Sequence, residues 1–253
     1  MANFQLAGTF RYYTPTAISE VAGRPATNLG LYAYPFRTWR STAATSGHYV
    51  TLDLASKVAI GAVFLNNCNF STVNVGLADD TAGPWTTTGY TVALDKRVNR
   101  RKMWVPVGAS WRYVRITPTA LAAEATYVTG WELGTCGILD PIVTLADNPA
   151  WPFRYMRRQA TTRIGYISGG EDVTEDGMPY LEFTLGNPLW RKLGSTIQSQ
   201  LFDLINLGPA APIVLYENAG DTSRCYLVRR VEDVQFEELT TSFAAEIPFR
   251  EAI

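Results

Sequence analysis

Residues 48–71 constrain the fold more than any other stretch of the chain. HYVTLDLA (48–55) alternates Tyr49, Thr51 and Asp53 with Val50, Leu52 and Leu54, a period of two. VAIGAVFLNNC (58–68) follows and is apolar almost throughout. The first pattern predicts a strand with one wet face, the second a strand covered on both faces. STVNVGLADD (71–80) alternates again, and GPWTTTGYTVAL (83–94), KMWVPVG (102–108), WRYVRITPT (111–119) and YVTGWELGTCG (127–137) supply further strands or loops. Turn signals separate them at short intervals, which predicts a β-sandwich or barrel.

WRYVRITPT needs a closer reading, because basic residues interleaved with aromatics also mark ligand-binding surfaces. As a strand it places Trp111, Tyr113 and Arg115 on one face and Arg112, Val114 and Ile116 on the other. Each face is mixed, unlike a basic patch or a stacking platform. Val114 and Ile116 are expected in the core, and Arg115 is expected to meet a nearby carboxylate or strand-end carbonyl, with Asp53 a candidate.

Composition supports the β reading. The 253 residues are 47% hydrophobic and 18% charged, with 7 Trp, 13 Tyr and 11 Phe. Net charge is −1, so there is no general basic footprint for nucleic acid. The charge is unevenly split: residues 1–140 carry 12 Lys+Arg against 8 Asp+Glu, and residues 141–253 carry 10 against 15. The asymmetry predicts two modules with different surfaces. Three cysteines (Cys68, Cys136 and Cys225), far apart and in no C-x-x-C pattern, predict reduced thiols packed as small apolar groups. The N-terminus lacks the basic and apolar regions of a signal peptide, and no apolar run reaches the roughly 20 residues of a membrane helix. Synthesis in a cytoplasm without membrane insertion is the expectation.

Pro141, Pro149 and Pro152 mark a change of texture. We place a domain boundary there, giving modules at 1–140 and 141–253. The second opens with strands at 153–168 and 178–186. Asn187 as N-cap and Pro188 at the first helical position then start a helix over about 188–207. Leu189, Leu193, Ile197, Leu201, Leu204 and Ile205 follow at helical spacing, and Gly208–Pro209 ends the run. Strands at 212–218, 224–239 and 241–251 complete an α+β module with a mainly antiparallel sheet.

Catalytic signals are thin. His48 is the single histidine, which excludes a two-histidine metal site; there is no G-x-S-x-G elbow and no phosphate-binding glycine loop. The densest acidic cluster holds Glu171, Asp172, Glu175 and Asp176, without the spacing of a calcium loop. A solvated hairpin tip or a protein-contact loop is the expectation there. No enzyme, cofactor or metal is expected.

Several segments occur in a known order. RPATNLGLYAYPFRTWRS (24–41), YVTLDLASKVAIGAVFLNNCNFS (49–71), VGLADDTAGPW (75–85), WRYVRITPT and VTGWELG (128–134) together resemble the discoidin-type, galactose-binding-like β-sandwich. The resemblance implies ligand contact through loops at one end. Tyr12, Tyr13, Tyr32, Tyr34 and Trp85 are the candidate aromatics for a sugar or a protein partner. Residues 211–251 are similar to tail-tube proteins of long-tailed bacteriophages, whose subunits form hexameric rings around a lumen that passes DNA. That resemblance implies a distal tail or baseplate protein of the virion, a homohexamer bound to tail-tube and baseplate neighbours. Glu171, Asp172, Glu175 and Asp176 would then line an acidic lumen that repels passing DNA, or form a contact loop. The alternative is a carbohydrate-binding module that contacts host-surface glycans without assembling.

Overall fold

The computed structural model describes residues 4–32, 37–45, 47–145, 155–164, 173–185, 211–217, 221–230, 235–239 and 242–251, with single positions between 199 and 207. Ten strands precede residue 145: β1 (Gln5–Ala7), β2 (Thr14–Ala17), β3 (Trp39–Arg40), β4 (Val50–Cys68), β5 (Phe70–Ala78), β6 (Thr86–Thr91), β7 (Ala93–Asp95), β8 (Arg100–Leu121), β9 (Glu132–Leu139) and β10 (Val143–Thr144). Six follow: β11 (Tyr155–Ile164), β12 (Val173–Leu185), β13 (Ile213–Tyr216), β14 (Cys225–Arg230), β15 (Gln235–Leu239) and β16 (Ser242–Glu251).

The antiparallel pair β4–β8 is the spine of a sandwich. Its ladder is interrupted between Asp53 and Val58 and again between Ile60 and Ala62. On either side of these bulges the outer neighbours change. β2 pairs with Val50–Asp53 of β4, whereas β9 pairs with the stretch from Ala62 to Cys68. β5 pairs with the second half of β8, and β7 with its first residues. Bulges bend strands, so one long ribbon contributes to two layers. The front layer is β2–β4–β8–β5–β6 and the back layer β3–β9–β4–β8–β7. Val50, Leu52, Val75, Val114 and Ile116 of the front meet Val63, Leu65, Met103, Val105 and Leu133 of the back in one buried core.

The apolar run at 58–68 has a second cover, as its composition predicts. Val63 and Leu65 face the sandwich core, while Ala62 and Phe64 point outward with Trp104 and Leu139. There they meet Val214, Tyr216, Cys225 and Leu227 of another sheet, with Trp104 stacked on Tyr216 at 5.2 Å between ring centroids. That sheet is antiparallel, in the order β10–β1–β13–β14–β16–β12–β11, with β15 also pairing with β16. Its opposite face carries Leu6, Leu215, Tyr226, Val228, Ile247 and Phe249 in a third cluster. The chain is thus mainly β, in three stacked layers. β1 crosses the sequence-derived boundary at 140: Gln5–Ala7 pair with Val214–Tyr216, so the N-terminus completes the second sheet. Of the helix expected over 188–207, Ser199, Phe202, Asp203 and Asn206 are helical, and most of the remainder lies outside the described residues.

A buried charge cluster crosses from sandwich to second sheet. Lys102 of β8, fully buried, donates to Glu251 of β16 at 2.6 Å and lies 3.2 Å from Asp95 of β7. Arg97 binds Asp95 at 2.9 Å, and Tyr226 joins Arg97 to Glu217. Although burial alone raises the Asp95 pKa, the Arg97 hydrogen bond and the Lys102 charge hold it below its ordinary value.

Candidate functional site

The N-terminal chain runs from the second sheet to the sandwich along β9. The Arg11 amide donates to the Ile138 carbonyl at 2.7 Å, and Phe10 bridges Leu139. A short 3-10 turn, Ala26–Gly30, lies beside this segment. Pro25 presets its entry, the Ala26 amide donates to Glu20 at 2.7 Å, and the Asn28 side chain donates to the Thr38 carbonyl at 3.0 Å. Between the two segments is a cleft of about 360 Å³, lined by Phe10, Tyr12, Tyr13, Thr27, Leu31, Tyr32 and their neighbours.

The polar groups of this cleft are largely spent on the protein. The Tyr13 and Tyr32 hydroxyls both donate to the Cys136 carbonyl, at 2.5 and 3.3 Å. Burial pushes both phenol pKa values up, so both remain neutral donors. Arg11 is paired with Asp140. Phe10 and Tyr32 rings lie 4.1 Å apart between centroids. What remains open is a mainly aromatic and aliphatic wall with exposed Thr27, and the Tyr12 side chain is 85% exposed at its mouth.

The sequence candidates therefore separate. Tyr12, Tyr13 and Tyr32 share the cleft; Tyr34 lies outside the described residues. Trp85 is elsewhere, on the outer face of the front layer, where it packs over Gly76 and stacks on Arg115 at 3.7 Å. Glu175 and Asp176 are not in a hairpin loop. They lie within β12, paired with Thr162 and Thr161 of β11, whose β-branched side chains suit a strand. Glu171 and Asp172 lie outside the described residues.

WRYVRITPT is strand, with Val114 and Ile116 fully buried. The expected Arg115–Asp53 contact does not form. The bulge after Asp53 turns that carboxylate toward Arg112, which binds it through Nε and Nη2 at 3.1 and 3.2 Å. This pair holds the Asp53 pKa down. Arg115 is instead clasped between Tyr49, at 4.2 Å, and Trp85. Neither ring was visible as its partner in the sequence, because the three residues meet only through strand register.

His48 forms a 2.5 Å hydrogen bond with Ser19, whose hydroxyl oxygen also accepts the Thr42 amide. Among the described residues no carboxylate hydrogen-bonds to His48. No cluster of three metal-ligating side chains occurs among the described residues, and no helix there is long and apolar enough to cross a membrane.

No protein-family profile matches the sequence, and no curated protein does. Solved structures do match about half of it. Chitosan-binding module 1 of a chitosanase/glucanase from Paenibacillus sp. IK-5 is 20% identical, covering 55% of this chain and 99% of its own, with a TM-score of 0.41. A CBM32 module of AlyQ, solved with 4,5-unsaturated mannuronic acid, is 16% identical over 53% of this chain and 99% of its own, TM-score 0.41. The lectin domain of lectinolysin, solved with Lewis B antigen, is 16% identical over 52% of this chain and 94% of its own, TM-score 0.40.

Proposed function

We propose that the sandwich is a non-catalytic carbohydrate-binding module whose ligand rests in the cleft beside Tyr12. One observation carries this reading: the Tyr13 and Tyr32 hydroxyls and Arg11 are already engaged inside the protein, leaving a mainly aromatic and aliphatic surface with an exposed Tyr12 ring at the entrance. Such a wall accepts the C–H face of a pyranose while the sugar's hydroxyls stay hydrated. Titration calorimetry against uncharged hits from a glycan array tests it. Tyr12→Ala abolishes binding without changing the melting temperature. An array with no hits, or a Tyr12→Ala variant that binds like the parent, refutes it.

A second reading is favoured by a different observation. Among the described residues β11 ends the second sheet, and nine of its ten residues pair with β12 on one side only. An open strand edge is a template for pairing with another chain. In this reading the second sheet joins neighbouring copies into a ring at the distal end of a bacteriophage tail, and the sandwich points outward to glycans or baseplate partners. Light scattering at a mass near six subunits supports it, alone or with tail proteins. A monomer that also fails to join tail assemblies refutes it.

A further inference from the structure

The outer face of the front layer holds a cation that the protein has positioned and left unneutralised. Strand register aligns Thr16, Thr51, Arg115, Gly76 and Thr87 in one row across all five strands. Gly76 leaves room for the Trp85 indole: a β-carbon there would lie 3.1 Å from Trp85 Cε3. The indole covers one side of the Arg115 guanidinium at 3.7 Å and the Tyr49 ring approaches at 4.2 Å. Thr51 Oγ1 accepts from Nε at 3.3 Å. Two aromatic contacts and one tether restrict the rotamers of an otherwise flexible side chain.

The Nη atoms of Arg115 have no hydrogen-bond partner among the described residues, and Arg115 makes no ion pair there. Two carboxylates near this face are already taken by other cations, and Asp80 accepts the Ala82 amide at 2.8 Å. Asp53 is bound by Arg112 through both oxygens, and Asp79 by Lys57 at 2.6 Å. Arg112 and Lys57 are thereby neutralised, and Arg115 is not.

We propose that Arg115 is the anchor of a second ligand site, and that its ligand is the carboxylate of a uronic-acid residue in an acidic polysaccharide. A planar guanidinium with its outer edge open matches a planar carboxylate in a two-point contact. One uncompensated cation matches one negative charge, which favours a carboxylate over a phosphate monoester. The Thr51 and Thr87 hydroxyls beside it suit the sugar's own hydroxyls, and the exposed edge of Trp85 offers apolar contact to the ring. This site is separate from the cleft at Tyr12 and does not depend on that cleft binding sugar.

The test is a titration of the whole chain with oligomers of galacturonic, mannuronic and glucuronic acid. The fully methyl-esterified forms and a sulfated neutral oligosaccharide run in parallel. The readouts are calorimetry and the NMR signals of the Trp85 indole N–H and Arg115 Nε–H. At least one acid oligomer binds and shifts both signals. Its ester binds at least about tenfold more weakly, as loss of a charge-assisted contact requires. Arg115→Gln weakens acid binding similarly, and Arg115→Lys does not restore it fully. Equal binding of acid and ester overturns the proposal, as does preference for the sulfated sugar or no acid oligomer binding at all. An Arg115→Gln variant that melts lower while still binding acid like the parent shows a purely structural clasp and also overturns it. Binding that disappears with Tyr12→Ala but survives Arg115→Gln assigns the ligand to the cleft and overturns the second site alone.

Discussion

Lys102→Met tests how the sandwich and the second sheet are joined. The ammonium is fully buried, 2.6 Å from Glu251 and 3.2 Å from Asp95, and Glu251 is 1% exposed. Methionine keeps most of the side-chain volume, so little of the effect comes from a cavity. The variant leaves two carboxylates in a dry interface without their shared cation. Removing one partner from a buried ion pair costs about 3–5 kcal/mol. Two features place this case near the lower bound. Arg97 still holds Asp95 at 2.9 Å, and the Leu181 amide and Arg100 still face Glu251 at 3.2 and 3.9 Å. The expected loss is about 3 kcal/mol. With a urea dependence of about 3 kcal/mol per molar for a chain of this size, the midpoint falls by about 1 M at pH 7. Unfolding followed by tryptophan fluorescence measures it. The pH dependence has a defined sign. The depressed Asp95 pKa contributes stability that is present above its ordinary value of 3.8 and lost as pH falls through the lower folded value. Lys102 is one cause of that depression, so the gap between parent and variant narrows below about pH 4. The double variant Lys102→Met/Glu251→Gln recovers part of the loss, because the carboxylate left alone is removed with its cation. A Lys102→Met midpoint within about 0.3 M of the parent at pH 7 refutes the reasoning.

Three further outcomes follow from particular contacts. Gly130→Ala places a β-carbon 2.0 Å from the Ser41 carbonyl oxygen, on a segment locked by the Ser41–Trp131 hydrogen bonds. The expected cost is about 3 kcal/mol, a fall of about 5–10 °C in melting temperature, and an unchanged melting curve contradicts it. Arg112→Gln moves the Asp53 carboxyl up toward its ordinary 3.8, read by NMR titration, because the Arg112 hydrogen bond is the largest influence holding it down; a value that stays put contradicts the assignment. Cys68, Cys136 and Cys225 are buried free thiols whose pKa values burial pushes up, so a disulfide reagent leaves them unmodified in the native protein and labels all three once urea unfolds it. Fast labelling of any one in the native state contradicts that burial.

Local pattern reached a long way here. The alternation at 49–54 and the unbroken apolar run after it anticipate a strand wet on one face that becomes a strand covered on both, and β4 does both within one element. Val114 and Ile116 lie in the core as their spacing predicts. These properties are legible because burial acts on each residue through its nearest neighbours in the chain, with the two-residue period of a strand. The cover over the outward half of that apolar run was not legible: it is a second sheet, completed by Gln5–Ala7 from the other end of the sequence.

The site residues show the same division. Tyr12 and Tyr13 fall in one cleft because they are adjacent in the chain, whereas Trp85, grouped with them by residue type, belongs to another face. Asp53, one candidate partner for Arg115, goes to Arg112 instead, because a bulge between Asp53 and Val58 is invisible in the alternation on either side of it. The clasp of Arg115 by Tyr49 and Trp85 joins positions 66 and 30 residues away, and the Lys102–Glu251 contact spans 149. Sequence pattern determined which residues are strand and which face is apolar, since both depend on local backbone geometry and hydrophobicity. Only the tertiary structure decided which charge meets which, because a charge selects its partner by distance and burial, and those are set by strand register and layer packing.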